Sequence, residues 1–266
     1  VKRRRKPRVV VLSPIRPRKS CEAEINRIIV GVLQEIERHR GEMLAAASDA
    51  RNELFTDRAD LGSIMEAIRN VLGPLASAAR FMLRRLFKIE SVRHGARWME
   101  QVNAAIGVDL KAVVAQEGVE QLIELATQKN VALITGLTAD VHKRVETVLI
   151  DMITAGKSNA AMAQALDDAF KFGRRRAALI ARDQAAKFNG NLNRIRQQEV
   201  GVTEYVWWTM QDERVRGNPG GTYPNAKPSH WDRHGKKFTY ADPPADGNPG
   251  EPINCRCIAR PVLKVP

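Results

Sequence analysis

Long apolar runs are missing from this sequence of 266 residues. No stretch approaches the roughly 18 to 20 uninterrupted apolar side chains that a bilayer crossing requires, and no apolar signal segment follows the basic amino terminus. A membrane or secreted protein is therefore not expected. Cysteine is scarce, at three residues, which is too few and odd in number for a disulfide framework and points to a reducing compartment. Aromatic residues make up only 5%. There is no H-E-x-x-H motif, no glycine-rich phosphate loop and no ordered pair of acids flanking a metal position, so the common signatures of hydrolases and nucleotide-binding enzymes are absent. What is present is ordinary for a globular chain of about two domains, 44% hydrophobic and 27% charged.

Acidic residues are also absent from positions 1 to 20, which hold nine of the lysines and arginines: Lys2, Arg3, Arg4, Arg5, Lys6, Arg8, Arg16, Arg18 and Lys19. Of the formal net charge of +13, only +4 remains for the rest of the chain. Such a segment repels itself and suits contact with phosphate or with an acidic protein surface, so these nine residues are the candidate contacts to DNA or to a partner. A solvated arm with no partner is the competing reading. A third has Val9 to Leu12 docking as a strand on another subunit's sheet edge.

Beyond this arm the apolar spacing is helical. Ile25, Ile28, Ile29, Val32, Leu33 and Ile36 form one stripe, with Glu24, Arg27, Glu35 and Arg38 outside it, and Ser20 stands where a cap is needed. The pattern predicts further helices through Met43 to Phe55, from Asp60 towards Leu72, and, after Gly73 and Pro74, from Leu75 to Phe87. Others are expected over Leu110 to Gln128, Val131 to Ala155, from a Ser158 cap to Phe172, and from Arg174 to Glu199 with Gly201 as its carboxyl-terminal stop. After Gly201 the composition changes: seven of fourteen aromatic residues lie between Tyr205 and Tyr240, and nine of thirteen prolines from Pro219 onward. Short strands are predicted at Tyr205 to Met210, Lys236 to Tyr240 and Ile253 to Val262. The expected fold is α+β: an arm over 1–20, a helical region over 21–157, and over 158–266 a lobe of one long helix packed on short antiparallel strands and long loops.

Chemistry is concentrated in that lobe. Cys255 and Cys257 alternate to one side of an extended segment, and with His230 or His234, and Asp212 as a further candidate, they offer the soft and borderline donors that hold a structural zinc. The spacing is not that of a common zinc knuckle, and two buried free thiols packing as small apolar groups is the alternative. Asp212, Arg214 and Arg216 alternate as on an extended segment and can form an ion-pair cluster with Arg182, Asp183, Gln184 and Asn189 of the preceding helix, a structural role. Trp207, Trp208 and Trp231 are read as core or interface residues rather than base-stacking platforms. His230, Asp232, His234 and Asn248 are raw materials for a metal-dependent nuclease or toxin, and the aromatic lobe for a sequence-independent nucleic-acid-binding protein. Both stand as rivals from other classes.

Several motifs in a fixed order complete the reading: Leu179-Ile180-Ala181-Arg182-Asp183-Gln184 with Lys187 and Asn189, the Tyr205 to Thr209 strand, Asp212-Glu213-Arg214-Val215-Arg216, Ser229-His230, Gly235-Lys236, Pro243-Pro244, Pro249-Gly250 and Cys255-Arg256-Cys257. In this order they resemble the head morphogenesis or minor head proteins of tailed bacteriophages, typified by phage Mu protein F, over about the last 110 residues. The segment Gly217 to Pro228 is a longer loop than that family usually has. The resemblance implies a non-enzymatic protein present in few copies at the portal vertex of the virion, assembled in the host cytoplasm. It also implies contact with portal protein and with major capsid or scaffold protein, a role in procapsid assembly, packaging or early DNA delivery, and no membrane. Packaged DNA would be met through the arm. Similar lobes occur fused to toxins, and no catalytic domain is expected after Pro266.

Overall fold

The stripe from Ile25 to Ile36 becomes the buried face of helix α1 (Lys19–Arg38), every one of its six residues being buried, while Glu24 and Arg27 pair on the outside at 2.8 Å. The computed structural model describes residues 8–52, 61–115 and 118–265. In chain order it contains strand β1 (Arg8–Val11), α1, α2 (Arg40–Asn52), α3 (Leu61–Ile106), α4 (Lys111–Ala115), α5 (Val119–Thr154), α6 (Asn159–Glu199), β2 (Glu204–Trp208), a 3-10 turn at Trp231–Arg233, β3 (Lys237–Thr239) and β4 (Ile258–Val265). The protein is mostly helical α+β with a small antiparallel sheet, as expected. Two compact units divide these elements, and neither is contiguous in sequence.

Three predicted interruptions do not occur. Gly73 and Pro74 lie inside α3: both are exposed, and the Ser77 hydroxyl donates to the Gly73 carbonyl at 3.3 Å. Proline removes one helical hydrogen bond, and its exposed position lets water serve the freed carbonyl. Helix α5 runs unbroken through Gln128 to Val131. The two helices predicted around Gly173 are one, α6, capped at its start by the Ser158 hydroxyl, which accepts from the Ala161 N–H at 3.3 Å. Gly173 is not a stop: a β-carbon there would lie 3.0 Å from Val141 of α5 and 3.4 Å from Leu33 of α1, so the missing side chain is what lets neighbouring helices close in.

One unit comprises Ala23–Leu86 and Leu125–Ala181. Its core is helical, built from the α1 stripe, Met65 and Leu83 of α3, Ile134, Val141 and Leu149 of α5, and Met162, Leu166 and Phe170 of α6. Arg174 holds Glu37 with contacts of 2.8 and 3.0 Å, and Arg40 reaches Asp167 at 3.1 Å.

The other unit takes the chain up to Glu22, Phe87–Glu124 and Arg182 onward. Its sheet has the order β1-β4-β2-β3, antiparallel throughout, with Val10 opposite Leu263, Trp207 opposite Ala259 and Tyr205 opposite Phe238. Val9 to Leu12, for which docking on another subunit's sheet edge is one of three alternatives, pairs with β4 of its own chain: Leu12 and Ile15 are buried with Trp98, Val102, Leu110, Val202 and Leu263. The alternation of β2 buries Tyr205 and Trp207 against Tyr240, Cys255, Cys257 and Ala259. Helix α6 ends at Gly201, whose φ of 77° allows the Val202 N–H to reach back to the Gln197 carbonyl at 2.9 Å.

Candidate functional site

Position β4 begins at Ile258, not at Ile253 as predicted, because Asn254 adopts φ 55° in a turn. Cys255 and Cys257 therefore lie on the lead-in to the strand. Both thiols are still buried, and they meet His230 at the start of the 3-10 turn. The Cys255 sulfur lies 3.5 Å and the Cys257 sulfur 3.7 Å from the same atom, His230 Nδ1, and all three donor atoms fall within 4.8 Å of one another. All three residues are buried.

The surroundings hold this group in place. His230 Nε2 pairs with Asp246 Oδ2 at 2.9 Å, Arg233 donates to the other oxygen of Asp246 at 2.7 Å, and the Gly250 N–H points at the Cys255 sulfur at 3.5 Å. Trp207 packs edge-on against the imidazole with centroids 5.3 Å apart, and the Arg233 guanidinium covers its indole at 4.8 Å. Burial alone would depress the His230 imidazole, but the Cys255 sulfur and the Asp246 carboxylate raise it above its ordinary value. Asp246 is held below the usual carboxylate range, against the opposing effect of burial, by His230 and Arg233. The Cys257 thiol donating to its neighbour keeps Cys255 well below a normal thiol, with His230 adding to the effect, and Cys257 is raised in exchange. A cavity of about 240 Å³ borders all three donors and is lined also by Arg214, Arg216 and Arg256.

His234, grouped with these residues by sequence, is not among the donors brought together. Its Nδ1 accepts from the Thr209 N–H at 3.2 Å, and its ring lies on Trp208 with centroids 4.3 Å apart.

The residues read as one polar cluster are distributed over several partners. Asp183 accepts from Lys187 (2.7 Å), Gln184 (2.8 Å) and the Asn254 N–H (2.7 Å), while Arg182 reaches Glu22 at 3.4 Å and Asn189 donates to the Ile15 carbonyl at 2.9 Å. The segment from Asp212 to Arg216 is not extended. Gln211 at φ 53° turns the chain, the Val215 N–H returns to the Asp212 carbonyl at 3.2 Å, and Arg214 and Arg216 part company. Asp212 takes Arg256 as its main partner, which together with Arg214 holds its carboxyl below the usual range, and Arg216 donates to the Ile253 carbonyl. The long loop folds back on this turn through Thr222 N–H to Glu213 at 2.6 Å and Gly217 N–H to Tyr223 at 2.9 Å.

Sequence reading missed Asp246 and Arg233, since nothing in the spacing ties Asp246 to a histidine sixteen positions away. It also missed a buried network on α6. There His94 Nε2 donates to Asn193 at 3.0 Å, its Nδ1 accepts from Arg196 at 2.7 Å, Arg196 reaches Ser91 at 3.2 Å, and Tyr240 donates to Gln197 at 2.6 Å. Burial, reinforced by the Arg196 charge, pushes His94 down to about 3. Of the basic arm, Lys2, Arg3, Arg4, Arg5 and Lys6 lie outside the described residues, Arg8 opens β1, Arg16 and Lys19 are exposed, and Arg18 pairs with Glu90 at 3.3 Å.

No solved structure matches the chain. An uncharacterized protein of Haemophilus influenzae is 34% identical over 159 residues, which is 59% of this chain and 33% of that protein, so the chain spans about a third of its relative's length. A family model described as phage Mu protein F like protein matches residues 143–260, which take in α6, β2, β3 and the His230 surroundings.

Proposed function

We propose that this protein is a minor structural and assembly component of a tailed-phage head, seated at the portal vertex and acting in procapsid assembly, DNA packaging or early DNA delivery. The observation that carries the reading is the family match over residues 143–260, within which polar side chains are spent on one another: Asp183 on Lys187 and Asn254, Asp212 on Arg256, Asp246 on His230 and Arg233. These contacts tie separate segments of the lobe to one another, in keeping with a structural and non-enzymatic role. Exposed apolar groups on α3, Phe81 at 71% and Val92 at 68%, favour contact with portal, major capsid or scaffold protein. The excess of positive charge at positions 1 to 20 favours packaged DNA or an acidic portal surface. Among the described residues no helix is long and apolar enough to cross a membrane. The working place is then the virion, after assembly in the host cytoplasm.

The test is co-purification with the portal protein of the same phage, over a range of salt, together with the yield of filled heads when the gene is deleted. Failure of both would refute the proposal. A nuclease is the second reading, favoured by the arginine-lined cavity beside His230. Plasmid cleavage with added divalent metal that disappears in His230→Ala would replace the assembly role with that one.

A further inference from the structure

We propose that His230 Nδ1, Cys255 Sγ and Cys257 Sγ bind one zinc ion, with water from the adjoining cavity in the fourth position, and that this ion fastens the lead-in of β4 to the 3-10 turn. The inference is independent of the assembly reading. It starts from two distances. For tetrahedral zinc with Zn–S near 2.3 Å and Zn–N near 2.05 Å, the edge between a sulfur and a nitrogen is about 3.6 Å. The sulfurs of Cys255 and Cys257 lie 3.5 and 3.7 Å from His230 Nδ1. A single metal between the three atoms accounts for both distances at once.

The neighbouring groups match the needs of such a centre. Asp246 accepts from Nε2, which directs the Nδ1 lone pair towards the sulfurs in the way that carboxylates orient metal-binding histidines. The Gly250 N–H faces the Cys255 sulfur, a donor suited to a thiolate. Two thiolates, one neutral imidazole and Zn²⁺ sum to zero charge, so the buried site carries no net ion. On binding, both thiol protons leave to solvent and His230 keeps its Nε2 proton. The cavity of about 240 Å³ borders all three donors and supplies the remaining position.

The experiment uses the full chain purified without chelator. Zinc is measured by elemental analysis, and the metal-free protein is titrated with Co²⁺ to read its visible bands and its thiolate charge-transfer band. One metal per chain and a tetrahedral two-thiolate spectrum are expected, with bands that change on adding azide at the open position. Cys255→Ser and His230→Ala should each reduce zinc occupancy at least tenfold, Asp246→Asn should weaken affinity about tenfold, and His234→Ala and Cys21→Ala should retain the metal. Should a variant not fold, the wild-type titration decides alone. Substoichiometric zinc with an octahedral cobalt spectrum, or thiol counting that shows Cys255 and Cys257 joined as a disulfide, would overturn the assignment.

Discussion

Replacing Gly190 by alanine should destabilise the protein although the position lies inside a helix. Helical glycine is worth about 1 kcal/mol less than alanine, so the substitution normally stabilises. Gly136 of α5 shows that normal case, being exposed with nothing within 4 Å of an added β-carbon. At Gly190 the new carbon would lie 2.9 Å from the Pro249 carbonyl oxygen and 3.5 Å from the Gly250 Cα, both of them backbone. Gly250 itself has φ 93° and would place a β-carbon 3.2 Å from the Ala186 carbonyl, so two glycines together let the loop cross α6 at backbone contact. Relieving the clash needs the loop to retreat by about half an ångström from a packed interior, and overpacking of that kind costs about 2 to 3 kcal/mol. Subtracting the helical gain leaves Gly190→Ala about 1 to 2 kcal/mol less stable than wild type, against a gain of about 0.5 to 1 kcal/mol for Gly136→Ala. Urea unfolding followed by near-ultraviolet dichroism reads both, and opposite shifts of midpoint are expected. A Gly190→Ala protein that unfolds at or above the wild-type midpoint would show that α6 and the 249–250 turn do not approach as described.

Other perturbations have equally definite signs. Asp183→Ala strands the Lys187 ammonium and the Asn254 N–H and should cost about 3 to 5 kcal/mol; pairing it with Lys187→Met should recover part of that loss, and strict additivity in the double-mutant cycle would contradict the ion pair. His94 binds a proton near 6.5 when unfolded but only at about 3 when folded, so its contribution is intact above pH 6.5 and erodes as the pH falls. Between pH 6.5 and 4.5 about 2 kcal/mol should be lost, and His94→Gln should remove that slope from denaturation midpoints measured across the range. Trp98→Ala opens the cluster around Leu12 and Leu263 and should cost about 3 to 5 kcal/mol, most simply read as a lower thermal midpoint; a change below about 1 kcal/mol would place that side chain outside the core.

Periodic features were legible in the sequence and close approaches were not. The α1 stripe could be read because each apolar residue recurs at helical spacing, and Gly201 because a left-handed residue after a long helix is a strong local signal. Gly173 and Gly190 carry the same letter with the opposite meaning, since what decides them is a neighbour far away in sequence. Cys255, Cys257 and His230 could be picked out as soft donors, but choosing between His230 and His234 required knowing that Trp207 and Trp208 face opposite sides of β2 and carry one histidine each. Asp212 to Arg216 alternates like a strand and yet turns, because Asp212 and Asn218 bind nearby main-chain groups that a sheet would otherwise use.

The pairing of Val10 with Leu263 joins positions separated by some 250 residues of intervening chain. Strand β1 can find its place only after the chain between it and β4 has been made, so Leu12 and Ile15 wait uncovered over that length of synthesis. Copies broken off before β4 therefore differ from those that carry it at the surface around β1, and any partner that reads β1 only in its paired form would be shielded from incorporating them.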